Sequence, residues 1–252
     1  MFWDNTIRCE TKELKEGEIK SENIALPEDF DVPKSILFKT THTIAEVWLD
    51  GEKIYEYGNE ADAPGFMKTP GSCWHIVDIP GDSSGKNLEV RIIPVYEGYY
   101  GNEVSLVYGT RGDCILKILT DCLGILVISC GILFAAVICI LLYCGAARRK
   151  RSDKTEAKIE IFLNLGFFSL LVAVWTLVQC GFLQFLIPDG RTLYFVEYFS
   201  LFLFPVPFNF LLYDICKSRY HKGALIFPIL YLANMAADVL LQCTGIIDIF
   251  RL

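Results

Sequence analysis

The hydrophobic pattern of this chain changes character once, near residue 114. Ahead of that point, short apolar or alternating runs recur between clusters of Gly, Pro, Asp and Asn. Ser35 to Thr40 (SILFKT) and Ile44 to Leu49 (IAEVWL) are rich in β-branched and aromatic residues, and Lys53 to Tyr57 (KIYEY) follows after Asp50-Gly51. An Asp-Gly between two such runs predicts a hairpin, because both central residues of its tight turn take positive φ. Val47, Leu49, Ile54 and Tyr57 are the expected core positions of that hairpin. Further strands are predicted at His75 to Ile79, Leu88 to Val95 and Val104 to Tyr108, with residues 58–73 as a Gly/Pro-rich loop long enough to carry function. Residues 1–34 are weakly patterned, with Pro27 and Pro33 punctuating short strands. Turn chemistry at this spacing, without an amphipathic helix, predicts an antiparallel β-sandwich over residues 1–114.

Beyond residue 114 the runs become long. Cys122 to Cys144 contains no charged residue, and about 20 such residues cross the hydrocarbon core of a bilayer as a helix. Four membrane helices are predicted, at 115–144, 159–187, 193–216 and 223–247. The second ends at the turn Pro188-Asp189-Gly190, and the third is broken by Phe204-Pro205-Val206-Pro207. Arg148, Arg149, Lys150, Arg151 and Lys154 follow the first helix, and Lys217, Arg219 and Lys222 follow the third. The loop after the second carries only Arg191. Basic loops mark the cytoplasmic side. The expected topology therefore puts the sandwich outside the cell, loops 145–158 and 217–222 inside, and the end of the fourth helix outside. The fold class is a multidomain, multi-pass plasma-membrane protein, with an extracellular β-sandwich followed by an α-helical transmembrane bundle. The N-terminus, MFWDNTIRCETKELKEGE, lacks a basic segment followed by an apolar one, so it does not read as a signal peptide. Export of the sandwich then needs either the first helix itself or a signal anchor upstream, and the second is favoured.

Charge sharpens the division. Residues 1–114 hold 21 acidic and 11 basic side chains, against 9 and 12 in the remainder. So acidic a domain argues against a nucleic-acid partner, which requires a basic face. Only Cys9, Cys73 and Cys114 of the ten cysteines lie in the sandwich region, where a Cys9–Cys73 bridge is conceivable. The other seven fall in or beside apolar runs, where cysteine acts as a small hydrophobe. No CxxC pair or Cys/His cluster calls for zinc, and no phosphate-binding glycine loop, HExxH or GxSxG occurs, so neither metal, cofactor nor enzymatic activity is expected of this chain. His42 and His75 have no Ser or Cys nucleophile at a recognisable spacing.

Two constellations remain as site candidates. In the sandwich, Trp74 with His75, and the cluster Tyr96, Tyr99 and Tyr100, offer apolar rings with polar edges, suited to a sugar or another small polar ligand, although Trp74 and Tyr96 each also suit a core. In the fourth helix, Asp238 lies one turn after Asn234 on the same face. A carboxylate inside a span costs about 3 kcal/mol on insertion scales, so it is a switch or ion-linked site, or a structural hydrogen bond to Asn164, Gln179 or Asn209. Glu197 and Asp214 fit interfacial positions. Gly131 to Ala135 is a weak small-xxx-small spacing, and Arg111-Gly112-Asp113 is a chance match to an adhesion tripeptide.

The runs SILFKTTHTIAEVWLDGEKIYEYG, KTPGSCWHIVDIP, GKNLEVRIIPVY and EVSLVYG together resemble the extracellular domain of certain Firmicute membrane-bound diguanylate cyclases. Val47, Leu49, Asp50, Gly51, Pro70, Gly71, Trp74 and His75 carry the match; most are fold-determining. The resemblance, over about residues 35 to 250, implies a jelly-roll, galactose-binding-like domain. It also implies helices similar to those of seven-transmembrane receptors with diverse intracellular signalling modules. In that family the bundle feeds a cytoplasmic GGDEF domain that makes cyclic di-GMP from GTP. Four spans without a GGDEF motif imply the sensory half of such a receptor. The function expected is a sensor module that binds a small extracellular ligand, a sugar or cell-wall fragment, and signals through its helices. Its partners are then the bilayer, that ligand and the cytoplasmic output domain, and a homodimer is compatible with them. The alternatives are a membrane-anchored carbohydrate-binding or envelope-interaction protein that transmits nothing, and a transporter fragment, for which internal repeats of spans are missing.

Overall fold

A computed structural model describes residues 6–8, 20–59, 67–96, 105–148, 156–216 and 221–244. The chain divides into two compact units, Met1–Asp121 with Gln184–Thr192, and Cys122–Leu183 with Leu193–Leu252. The first unit therefore contains a short segment from the region between two long helices. The chain passes from one unit to the other at three points rather than one.

The strands are β1 (Thr6–Arg8), β2 (Lys20–Ala25), β3 (Lys34–Thr41), β4 (Thr43–Leu49), β5 (Glu52–Tyr57), β6 (Ser72–Ile79), β7 (Asn87–Pro94) and β8 (Ser105–Gly109). They form two antiparallel four-stranded sheets, in the orders β1-β8-β3-β6 and β2-β7-β4-β5. Ile36, Phe38, Val77, Ile79 and Leu106 from the first sheet meet Ala45, Val47, Leu49, Leu88, Val90 and Ile92 from the second in one core. Alternation along each strand places these residues on the inner faces. The predicted sandwich is present, with strand ends displaced by one to three residues from the sequence reading. The largest shift is in β6, which begins at Ser72 rather than His75.

The β4–β5 hairpin turns at Asp50 (φ 48°) and Gly51 (φ 85°), the positive pair that its sequence requires. Its register then shifts. Leu49 pairs with Glu52 and Trp48 with Lys53, but Val47 pairs with Tyr55 and Ala45 with Tyr57, leaving Ile54 as an extra residue. This bulge turns Tyr55 and Tyr57 to the face of Val47 and Ala45. Without it, Ile54 and Glu56 would occupy those places.

Five α-helices follow: α1 (Arg111–Arg148), α2 (Glu156–Gln179), α3 (Gly190–Leu203), α4 (Pro205–Cys216) and α5 (His221–Cys243). Four stretches are long and apolar enough to cross a membrane, within α1, within α2, across α3 and α4 together, and within α5. The predicted break in the third span falls at Phe204, where Pro205 cannot donate to the helical ladder. In the second unit α4 packs against α2 and α5. α1 and α2 come close at Gly166, where a Cβ would press on Ile140 and the Ala136 carbonyl. The weak small-xxx-small spacing at Gly131 makes no close contact among the described residues, since a Cβ on Gly131 meets nothing within 4 Å.

α1 is 38 residues long, about 57 Å at the helical rise, against about 30 Å of hydrocarbon. Its first turns belong to the sandwich unit. Cys114 and Ile118 are buried there, and the Cys114 thiol points to the Ser35 carbonyl at 3.7 Å.

Candidate functional site

The bulge in β5 creates a polar corner inside one end of the sandwich. Tyr55 and Tyr57 face β6, whose inward residues there are Cys73 and His75. His75 is 1% exposed, with its Nε2 2.7 Å from the Thr40 hydroxyl and its Nδ1 3.0 Å from the Tyr55 hydroxyl. Its ring lies 4.9 Å from both Phe38 and Tyr57. Burial drives the imidazole down to about 3, so it is neutral at physiological pH, with one ring nitrogen donating and the other accepting. Burial first, then the nearby Cys73 sulfur, pushes the Tyr55 phenol up to about 12. The Tyr57 phenol moves in the same direction for the same reasons. Burial also raises Cys73, against the opposing hydrogen bond with Tyr57, so the sulfur stays a thiol and not a nucleophilic thiolate. The corner is thus a neutral, hydrogen-bonded cluster.

Residues 67–71 close this corner. Met67, Thr69, Pro70 and Gly71 are buried. Thr69 Oγ1 accepts from the Gly71 N–H at 3.0 Å and lies 2.7 Å from His42 Nδ1, while the His42 N–H donates to the Gly71 carbonyl at 2.9 Å. The Tyr57 hydroxyl donates to the Pro70 carbonyl at 2.9 Å and sits 2.9 Å from the Cys73 sulfur.

The segment between α2 and α3 docks against this corner. The Gly190 backbone lies directly against the Tyr57 hydroxyl. Gly190 is buried so tightly that a Cβ would fall on the Cys73 sulfur and the Tyr57 hydroxyl, and a Cβ on Gly71 would fall on the Gly190 carbonyl. Two glycines let the two backbones touch. Asp189 precedes this seat as the N-cap of α3. Its carboxylate accepts from the Thr192 hydroxyl at 2.7 Å, the Thr192 N–H at 3.1 Å and the Arg191 N–H at 3.2 Å. Burial alone would raise that carboxyl, but these donors hold it below its ordinary value. Five residues before Asp189, Gln184 makes a second attachment. Its Oε1 accepts from the Trp74 N–H at 2.7 Å and its Nε2 donates to the Trp74 carbonyl at 2.6 Å. β6 is an edge strand, and the carboxamide pairs with its outer side as a neighbouring peptide group would.

The sequence candidates are distributed as follows. Trp74 and His75 are separated by strand alternation, His75 inside and Trp74 half-exposed on the outer face, where Lys39 lies 5.7 Å from its ring. They line no common surface. Tyr96 is buried, while Tyr99, Tyr100 and Cys9 lie outside the described residues. Cys73 is a free thiol. The Arg111-Gly112-Asp113 tripeptide is explained by local structure. Thr110 and Asp113 form a reciprocal capping box at the start of α1, and Arg111 pairs with Asp78 at 2.5 Å. Asp238 accepts from Asn234 at 3.0 Å on its own helix; the partners the sequence offers are Asn164, Gln179 and Asn209. Two of those are engaged elsewhere, Asn164 with Asp214 at 2.7 Å and Gln179 with Glu197.

Sequence reasoning missed Gln184, Gly190, Tyr55 and Thr69. The signal in the chain was slight: a turn sequence at 188–190, and Ile54 and Tyr57 in one strand at a spacing that strict alternation cannot place on one face. Among the described residues, no group of three or more His, Cys, Asp and Glu side chains could hold a metal ion. No protein-family model, curated protein or solved structure matches this chain.

Proposed function

We propose that this protein is the sensory module of a membrane receptor. The sandwich, read as an extracellular jelly roll of the galactose-binding-like kind, takes up a small ligand such as a sugar or cell-wall fragment, and the helices carry the change to a cytoplasmic output domain of the GGDEF type. The observation that supports this reading is the docking of Gln184–Thr192 into the sandwich unit. A domain merely tethered to a membrane needs one connection, at α1. Here the sandwich also holds the segment that joins α2 to α3, so a change in its corner reaches three helices through covalent chain. The same docking supports the topology, since the start of α1 and the α2–α3 segment then share one side of the membrane.

The test uses the full chain in lipid nanodiscs with spin labels at Ala147 on α1 and Leu212 on α4. A panel of monosaccharides, chito-oligosaccharides and muropeptides is screened by thermal shift, and each hit is followed by pulsed spin-label distances. A bound ligand is expected to move the distance distribution by about 1–2 Å, the usual size of helix shifts in switching proteins. Binding that leaves the distribution unchanged would favour the anchored binding protein that transmits nothing.

A further inference from the structure

The outer edge of β6 is a strand-pairing site. Trp74 directs both its N–H and its carbonyl away from β3, toward Gln184. In an antiparallel pair such outward groups recur at every second residue, so Ser72, Ile76 and Asp78 point theirs the same way. Those three backbone positions have no hydrogen-bond partner among the described residues. Eight residues long and in regular register with β3, β6 has neither the bulge nor the proline that usually blunts an exposed edge. Among the described residues, the group paired with its backbone edge is the Gln184 primary amide, chemically a peptide group on a short stem.

We propose that this edge binds an extended peptide, which adds as a further strand beside β6 and displaces the Gln184 carboxamide from Trp74. The inference rests on the sensor reading for its consequence and goes beyond it by adding a second class of ligand, an extended peptide. Residues of the added strand opposite Trp74 and Ile76 share their outer face, where the half-exposed indole favours an apolar side chain. Lys39, cross-strand from Trp74 and exposed, favours an acidic one next to it. Loss of the Gln184 pairing removes one anchor of the α2–α3 segment and leaves the Gly190 seat and the Arg191 hydrogen bond to the Asn59 carbonyl (3.4 Å), so binding loosens the attachment that links the sandwich to α2 and α3.

The full chain in nanodiscs is panned against a displayed library of random decapeptides, and recovered peptides are titrated onto wild type and Gln184→Ala. Removing the internal competitor is expected to tighten binding about tenfold, the worth of one to two hydrogen bonds. N-methylation of alternate peptide nitrogens is expected to abolish binding in one phase and leave it intact in the other, since only one set faces β6. Amide exchange in Gln184–Thr192 is expected to rise when peptide binds. The proposal is overturned if no decapeptide binds either protein, if Gln184→Ala does not tighten binding, or if N-methylation acts without phase. Dimerisation of Gln184→Ala without peptide would overturn it too, by assigning the edge to a second copy of the chain. The two readings fail separately. A peptide that pairs with β6 but leaves the helix distances unchanged sinks the sensor reading alone. A sugar that shifts the helices, with no decapeptide bound by either protein, sinks the peptide edge alone.

Discussion

At Gly190 a methyl group has nowhere to go, because the Cys73 sulfur and the Tyr57 hydroxyl already occupy its place. Gly190→Ala should therefore cost about 1–3 kcal/mol, the usual cost of overpacking. It is checked by the melting temperature of the purified chain and by faster amide exchange across Gln184–Thr192. His75 makes a prediction about acid. Its imidazole titrates near 3 in the fold against 6.5 in an open chain, so below pH 6.5 the unfolded state binds a proton that the folded state refuses. No penalty exists above that pH; it grows as pH falls, reaching about 3 kcal/mol two units lower. The stability difference between pH 7.5 and 4.5, measured by urea unfolding in detergent, should shrink by about that amount in His75→Gln. An unchanged difference would mean that the site opens to water well before the sandwich unfolds.

Two elements owe their position to a few residues. The start of α1 is set by Thr110 and Asp113, each satisfying a backbone or side-chain donor of the other. Thr110→Ala should cost about 1 kcal/mol, and Thr110→Ser almost nothing, read as amide exchange in the first turn of α1. Loss of an adhesive activity is not the expected effect, since the Asp113 carboxylate is engaged with the cap. The β4–β5 hairpin was legible in outline from Asp50-Gly51. Its bulge was not, because the choice of which residue to leave unpaired depends on what the inward faces must meet. Ile54 and Tyr57, three apart, both suit a core and cannot both face it in a regular strand. The bulge resolves this by sending Tyr55 and Tyr57 inward to His75 and leaving Ile54 partly buried against the core.

For the whole molecule, the helical unit distinguishes close contacts from accidental spacings. Gly166→Leu should destabilise the α1–α2 contact at Ala136 and Ile140 by about 1–3 kcal/mol, whereas Gly131→Leu should be silent. Sodium dodecyl sulfate titration of the two variants, followed by circular dichroism, measures the difference. The two helices were recognisable in the sequence from length and lack of charge alone. Which of their glycines touches a neighbour depends on helix rotation, and apolar composition all round a helix carries almost no information about that.

The sequence by itself determined strands β3 to β8 and the four long apolar stretches. Each follows from local rules: alternation and turn chemistry for a sheet, about 20 uncharged residues for a span. Only the tertiary structure decided where the segment after α2 belongs. Gln184 and Gly190 look like ordinary loop residues, and their partners Trp74, Tyr57 and Cys73 lie more than a hundred positions away. A carboxamide completing a strand edge, and a glycine fitting between a thiol and a phenol, are matters of shape and distance between remote pieces of chain. Periodicity registers neither, and both help the sandwich unit hold the segment joining α2 to α3.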